Sequence, residues 1–189
     1  MREENGPSGA IERVLLDEVA IDERVRELAA QIGSDYAHTR YGDSAVVLVG
    51  VLKGAFVFLA DLARRLTIPH HVDFIALSSY NAARTTGEVR LIMDSRINVA
   101  DRHVLIVEDI VDTGHTLDYL LRTFRARHPR SLQSCVFLSK PDRRQVEVKI
   151  DYLGFEIPDV WVVGYGLDYA DRYRTLPYIG ALKSDVYEK

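Results

Sequence analysis

Several features that mark common protein classes are scarce in this 189-residue chain. The single cysteine, Cys135, cannot form an internal disulfide, and MREENGPSGA lacks a basic region followed by an apolar core, so a cytoplasmic protein is expected. The longest apolar run, Ala45 to Leu52, is far shorter than the ~20 residues that cross a bilayer, so no membrane-spanning segment is expected. With 24 Lys and Arg against 28 Asp and Glu, the net charge of −4 excludes a general positive field for nucleic acid.

Motifs of other enzyme classes are also missing. No GxGxxG follows a strand pattern, which argues against a classical dinucleotide enzyme, and His70-His71 has no metal-ligand spacing. No repeat of 20 to 50 residues is visible. Residues 1–10, with Gly6, Pro7 and Gly9, are expected to be a mobile tail, and residues 11–189 a single domain.

Strand and helix patterns alternate along the rest of the chain. Helical spacing of Val25, Leu28, Ala29 and Ile32 predicts a first helix entered at Asp22. The segments SAVVLVGVL and AFVFLADLARRL form one strand–turn–helix unit, and HVLIVED with TLDYLLRTFRAR forms a second. Further strand candidates are HVDFIALSS, EVRLIMD, SLQSCVFLS, VKIDYLGFE and WVVGYGL. This alternation predicts an α/β domain with a largely parallel central sheet flanked by helices.

The two strand-to-helix turns are the first candidate sites, because ligands of such sheets bind at the carboxyl ends of the strands. The second turn, VLIVEDIVDTGHTL, places Glu108, Asp109 and Asp112 beside a Gly-Thr turn that opens a helix. Helix capping alone would need one such residue. Acceptors for hydroxyl groups beside backbone N–H groups for a phosphate suit a sugar phosphate.

This segment resembles, over all fourteen positions, the phosphoribosyl-diphosphate (PRPP) signature of the type I phosphoribosyltransferases. GVLKGAF, SSY with TTGEVR downstream, LSKPDRR and PDVWVVGYGLDYADRYR follow in the order seen in the bacterial hypoxanthine-guanine branch. The resemblance extends from about Ile11 to the end. It implies the type I fold with a small hood formed by terminal segments, and transfer of a phosphoribosyl group from PRPP to a 6-oxopurine. It also implies Mg²⁺ as cofactor and a homodimer or homotetramer.

The resemblance assigns the acidic turn to the ribose phosphate. Glu108 and Asp109 would accept hydrogen bonds from the ribose hydroxyls, and Asp112 would take the proton that the purine loses from N7. The 5′-phosphate would be held by the turn residues Thr113, Gly114, His115 and Thr116. For His115, a loop residue facing solvent or phosphate is the alternative to a role in catalysis.

The same resemblance places diphosphate contacts at Lys53, Gly54 and Arg174. Asp168 would bind Mg²⁺, with Glu108 and Asp109 contributing indirectly. Some relatives carry a second glycine where this chain has Ala55. The Leu52–Lys53 peptide is a candidate for the cis form, which the sequence does not decide.

The purine would be bound by later segments. Lys140 would donate to O6 of the base, Trp161 would stack on its ring, and the main chain of Val162 would meet its edge. Many relatives carry Phe in place of Trp161, and ordinary core packing is the alternative for this tryptophan.

The segment after the third strand pattern offers two interpretations. Ser78, Ser79 and Tyr80 with the polar run behind them resemble a loop that closes over the site and excludes water. A simple hairpin loop fits the composition equally well.

Three rival functions remain from other classes. A PRPP-sensing regulator of nucleic acid should show a basic face, which the charge pattern lacks. A diphosphokinase that makes PRPP, or a transferase acting on another base, would not need the segments at Lys140 and Trp161.

Overall fold

The computed structural model describes residues 9–40, 42, 44–79 and 89–187. Its strands are β1 (Ile11–Leu16), β2 (Val46–Leu52), β3 (His70–Ser79), β4 (Val89–Met93), β5 (His103–Val111), β6 (Ser131–Ser139), β7 (Tyr152–Glu156), β8 (Val162–Val163) and β9 (Ile179–Leu182). Its helices are α1 (Glu18–Asp35), α2 (Phe56–Arg65), α3 (His115–Arg125) and α4 (Ser184–Tyr187). In the described part of the chain, no helix is both long enough and apolar enough to cross a membrane.

The central sheet has six strands in the order β4-β3-β2-β5-β6-β7. Only β4 is antiparallel to its neighbour. The chain leaves β2 through α2 toward β3 on one side, and leaves β5 through α3 toward β6 on the other. The strand order therefore reverses between β2 and β5, which is where open α/β sheets form a ligand crevice. The predicted largely parallel sheet is confirmed.

Helices cover both faces of this sheet because β2 and β5 are apolar on both sides. On β2, Val46 and Leu48 pack with α1 and α2, whereas Val47 and Val49 pack with α3. The same alternation on β5 divides its side chains between the two cores. Burial on both faces explains the continuous apolar runs in the sequence and gives the crevice a rigid floor.

The smaller sheet is the hood that the resemblance implied. It pairs β1, from the start of the described chain, with β9 and β8 in antiparallel order β1-β9-β8. Sequence patterns had not identified β1 or β9, because each is short and its partner lies far away in sequence. The pairing of β1 with β9 stabilises two strands that the local hydrophobic pattern alone does not predict.

Some predicted boundaries were wrong. Helix α1 begins at Glu18 rather than near Asp22, because Asp17 caps it by accepting a hydrogen bond from the Ala20 N–H at 2.8 Å. Asp22 instead pairs with Arg26 and Arg65. Strands β7 and β8 are shorter than their apolar patterns, and glycine turns follow β8. Of the predicted tail, residues 1–8 lie outside the described part.

Candidate active site

The two predicted turns meet at the carboxyl edge of the sheet. Strands β2 and β5 are adjacent and in parallel register, with Gly50 opposite Val107. Beyond their ends, Gly54 lies so close to Asp109 that a Cβ at Gly54 would overlap the carboxylate. The Leu52–Lys53 peptide is cis. A side chain larger than hydrogen at position 54 would displace the Asp109 carboxylate.

The acidic pair lies at the bottom of the crevice. Glu108 is only 6% exposed, and its Oε2 has no hydrogen-bond partner among the described residues. Burial, followed by the neighbouring Asp109 carboxylate, raises the pKa of Glu108 well above its ordinary value. Burial also raises the pKa of Asp109, although backbone N–H groups oppose the effect. A buried, unpartnered acceptor of this kind calls for donors such as the hydroxyl groups of a sugar.

The turn after β5 leaves the start of α3 open. Gly114, at φ 93°, is the residue before the helix, and no side chain of the described residues caps the helix N-terminus. The alternative interpretation, in which the polar residues of this turn only cap the helix, is therefore wrong. A Cβ on Gly114 would overlap the Val146 carbonyl, so glycine is required for both its φ and its close approach. A cavity of about 250 Å³ lies in front, lined by Glu108, Ile110, Val111, Asp112, Thr113, Gly114, Thr116 and Leu117.

His115 does not line this cavity. Its side chain is exposed, and its Nε2 lies 3.3 Å from Oε1 of Gln145. His115 is thus exposed, as its alternative expected, but it is the first residue of α3 and not a loop residue.

Asp112 faces a cation that the sequence patterns had not singled out. Nε of Arg143 lies 2.7 Å from Oδ1 of Asp112, as an ion pair without the alignment of a hydrogen bond. Nη1 of Arg143 lies 3.5 Å from Oδ1 of Asp159, and Nζ of Lys140 lies 3.6 Å from the same oxygen. Alternating charges thus connect Lys140 to Asp112. Lys140 and Arg143 lie in LSKPDRR, and Asp159 lies at the start of PDVWVVGYGLDYADRYR. Only the fold brings these segments together beside Asp112.

Lys140 is held beside the acidic turn by the sheet. Its backbone N–H donates to the Val111 carbonyl at 3.0 Å, and the residue is only 7% exposed. A buried ammonium with a partly exposed partner can bind a carbonyl oxygen of a ligand.

Trp161 is not a core residue. It is 46% exposed, with Tyr187 of α4 stacked on it at 5.6 Å between ring centroids and Tyr169 against it edge-on at 5.6 Å. The core-packing alternative is therefore wrong. The next residue, Val162, is buried and pairs with Ala181 of β9. The hood thus carries an accessible aromatic plane.

The loop between β8 and β9 brings further charges to the crevice. A Cβ on Gly166 would overlap the Gly54 carbonyl, so this loop packs directly on the first turn. Nη1 of Arg174 donates to the Gly166 carbonyl at 2.8 Å, and its Nη2 lies 2.7 Å from Oδ1 of Asp168. The loop therefore places a cation and a carboxylate beside Lys53.

The predicted loop residues are only partly described. Ser78 and Ser79 end β3 and pair with Arg90 and Val89 of antiparallel β4. Tyr80 lies outside the described residues. Closure over the site stays a prediction.

Comparisons with known proteins agree with this geometry. The model of the phosphoribosyl transferase domain matches residues 14–170. The hypoxanthine-guanine phosphoribosyltransferase of Bacillus subtilis is 47% identical over 94% of this chain and 97% of its own length. The hypoxanthine phosphoribosyltransferase of Salmonella typhimurium is 46% identical over 88% of this chain and 93% of its own.

Solved structures lead to the same family. A hypoxanthine phosphoribosyl transferase from Trypanosoma cruzi superposes with a TM-score of 0.91 at 42% identity, covering 100% of this chain and 97% of that one. A hypoxanthine-guanine phosphoribosyltransferase from Bacillus anthracis gives a TM-score of 0.84, covering 92% and 99%. The chain belongs to the phosphoribosyltransferase family.

Proposed function

We propose that the protein is a hypoxanthine-guanine phosphoribosyltransferase of purine salvage. It transfers the 5-phosphoribosyl group of PRPP to N9 of hypoxanthine or guanine, giving IMP or GMP and diphosphate. The observation that carries the proposal is the cavity that joins an unpartnered buried carboxylate to an uncapped helix N-terminus. Those two features match the hydroxyl groups and the phosphate of a ribose phosphate.

The ribose phosphate binds along the turn after β5. Glu108 and Asp109 accept hydrogen bonds from the 2′ and 3′ hydroxyl groups, which removes the cost of burying two adjacent carboxyls without donors. The 5′-phosphate lies at the start of α3, held by N–H groups and hydroxyls of Thr113, Gly114, His115 and Thr116.

Asp112 accepts the proton from N7 of the purine as N9 attacks the anomeric carbon. Its ion pair with Arg143 keeps its carboxylate at the mouth of the cavity. Bound and aligned reactants supply much of the rate, and proton transfer adds roughly 10²–10⁴.

The diphosphate binds opposite, between the backbone at Lys53-Gly54 and the Arg174 guanidinium. The residues fit Mg²⁺ here, because the Asp168 carboxylate lies beside these cations and Mg²⁺ takes one or two carboxylates plus substrate oxygens. Glu108 and Asp109 contribute to the binding of Mg²⁺ indirectly. When bound, Mg²⁺ supplies positive charge to the leaving diphosphate. Arg174 and Lys53 orient the same group.

The purine binds between the sheet and the hood. Lys140 donates to O6, the accessible plane of Trp161 stacks on the base, and the main chain of Val162 meets its edge. An ammonium cannot accept from the amino group of adenine, which favours 6-oxopurines. Ser78, Ser79 and Tyr80 begin the segment that closes over the bound substrates.

The remaining proposals concern the protein as a whole. Residues 11–189 form one phosphoribosyltransferase domain, and copies associate as a homodimer or homotetramer. PRPP carries several negative charges and does not cross a lipid bilayer unaided. The enzyme therefore acts where PRPP is made, in the cytoplasm.

An assay with PRPP and Mg²⁺ tests the proposal. Hypoxanthine, guanine, xanthine, adenine and uracil are offered separately, with a metal-free control. We expect nucleotide formation from hypoxanthine or guanine and little from adenine or uracil. PRPP binding without turnover of any base would instead support a PRPP-sensing regulator.

A variant at the purine subsite tests the base assignment. Lys140→Ala removes the O6 donor, and we expect KM for hypoxanthine to rise about tenfold with a smaller change in kcat. Lys149→Ala is the matched control, because Lys149 is exposed and pairs only with Asp151 among the described residues. Normal hypoxanthine affinity in Lys140→Ala would refute the O6 assignment.

A further inference from the structure

One carboxylate connects the two cationic side chains at the diphosphate subsite. Oδ1 of Asp171 accepts a hydrogen bond from Nζ of Lys53 at 3.0 Å and another from Nη2 of Arg174 at 3.0 Å. Lys53 and Asp171 are 118 positions apart in sequence, so the contact joins the end of β2 to the loop between β8 and β9. A protein anion thus lies where both cations converge.

The backbone around Asp171 fixes this placement. Ala170 and Asp171 both have left-handed conformations, at φ 51° and 58°, and the Asp171 N–H donates to Oδ2 of Asp168 at 2.7 Å. Aspartate tolerates this conformation better than most residues do. The turn is therefore held by the same Asp168 carboxylate that is proposed to bind Mg²⁺.

The ion pairs of Asp171 are ones that a stronger anion can displace. The side chains of Lys53 and Asp171 are each 67% exposed, so their ion pair contributes little stability, whereas the Arg174 side chain is only 19% exposed. Asp171 accepts hydrogen bonds from an ammonium and a guanidinium, and both stabilise its ionised carboxylate. A diphosphate offers more charge and more acceptor oxygens than one carboxylate.

We propose that Asp171 occupies the diphosphate subsite as an internal anion, which holds Lys53 and Arg174 in the free enzyme and is displaced by diphosphate. The inference rests on the proposed function, because it takes Arg174 as a diphosphate ligand and adds the Lys53 ammonium to the backbone contact proposed there. Competition from Asp171 weakens the binding of free diphosphate. It therefore speeds release of this product after each turnover.

The test is calorimetric titration of the full-length protein with inorganic diphosphate, with and without Mg²⁺. Asp171→Asn keeps the shape and removes the charge. We expect its diphosphate dissociation constant to fall about threefold to tenfold, because the exposed pair with Lys53 and the partly buried pair with Arg174 no longer compete. Asp171→Gly, which suits the positive φ, is a second variant that should shift in the same direction.

Asp101→Asn is the matched control. Asp101 is exposed, has φ 57°, and precedes β5 at the end opposite the site. The Asp101→Asn variant should bind diphosphate as tightly as the unchanged protein does. Unaltered or weaker binding by both Asp171 variants would overturn the proposal.

Two further outcomes separate the possible failures. Weaker binding by Asp171→Asn only when Mg²⁺ is present would make Asp171 a metal ligand and overturn the inference. If the unchanged protein neither binds diphosphate nor forms a nucleotide from PRPP, the proposed function itself has failed. Turnover by the unchanged protein with no tightening in the variants rejects only the role of Asp171.

Discussion

The two halves of the candidate site are built in different ways. The half proposed to bind the ribose phosphate, called here the ribose-phosphate half, comes from one continuous segment, Glu108 to Thr116, at the end of a strand that is buried on both faces. The purine half combines Lys140 from the end of β6, Trp161 from the hood and Tyr187 from α4. The first half lies on the core, whereas the second depends on contacts between distant segments.

This difference has a physical consequence. The packed core orients groups that lie on a buried strand and an adjoining helix. This orientation suits reacting atoms, which must be aligned for group transfer. The purine half is held by an exposed aromatic stack and by ion pairs around Asp159. Such contacts contribute less stability individually. Substitutions should therefore cost more in the first half than in the second.

The largest effect is expected for Asp112→Asn. Losing the proton acceptor should lower kcat by roughly 10²–10⁴ while PRPP affinity changes little, because the phosphate contacts remain. Steady-state kinetics and PRPP titration measure the two quantities. Asp118→Asn, in the first turn of α3 and paired with Arg122, is the control. Unchanged turnover in Asp112→Asn would remove this residue from the base role.

A methyl group at Gly54 should damage the same half through its geometry. In Gly54→Ala the new Cβ overlaps the Asp109 carboxylate, and we expect kcat/KM to fall by at least about tenfold. Gly33→Ala is the matched control, since a Cβ there makes only an ordinary 3.4 Å contact with Oγ1 of Thr67.

The two alanine variants should also differ in stability. Gly33 lies inside α1, so alanine should stabilise the fold by about 0.5–1 kcal/mol. Thermal melting compares them. Full activity and an unchanged Tm in Gly54→Ala would show that the close approach is not needed.

Glu108→Gln should separate stability from binding. The pKa of Glu108 is raised in the folded protein, so the unfolded chain ionises more readily and the folded state loses stability as pH rises above the ordinary carboxyl value. The ligand-free variant should therefore be more stable at pH 7, by about 1 kcal/mol or more. PRPP affinity should fall about tenfold, because a charged acceptor is lost.

The pH dependence checks this explanation. Below pH 4.5, the ordinary pKa of a glutamate carboxyl, Glu108 is protonated in both states, and the difference in Tm between the variant and the unchanged protein should vanish. Melting curves between pH 4 and 8 measure it. A difference in Tm that is independent of pH would contradict the electrostatic cause.

The smallest effect is expected at Tyr187. Tyr187→Ala removes the ring stacked on Trp161, which should raise KM for the base about threefold with little change in kcat. The chain has one tryptophan, so its fluorescence reports this site alone. Acrylamide quenching should increase in Tyr187→Ala and stay unchanged in Tyr187→Phe. Unaltered quenching in both would mean that the stack does not shield Trp161.

The sequence predicted the local structure of the ribose-phosphate half, namely a buried strand, a turn and the helix after it. A continuous apolar strand, adjacent acids and a Gly-Thr turn before a helical pattern are local features, and the local backbone places them together. Boundaries were less predictable. Helix α1 begins earlier than its apolar periodicity suggested because a single cap at Asp17 decides where it starts. Strands β1 and β9 were missed because only their mutual pairing in the hood stabilises them.

The ion pairs beside the purine half and at the diphosphate subsite could not be predicted from any single segment. Arg143 and Asp159 are 16 positions apart, and Lys53 and Asp171 are 118 positions apart. Spacing in sequence carries no information about such ion pairs.

The sequence by itself therefore determined the alternation of strands and helices, the largely parallel sheet and the turn that fits a ribose phosphate. Each of these depends on neighbours within a few residues. Only the tertiary structure decided that Gly54 packs on Asp109, that Trp161 is exposed against Tyr187, and that Asp171 bridges two distant cations. These contacts form only when the strand order reverses between β2 and β5 and the hood closes beside that edge.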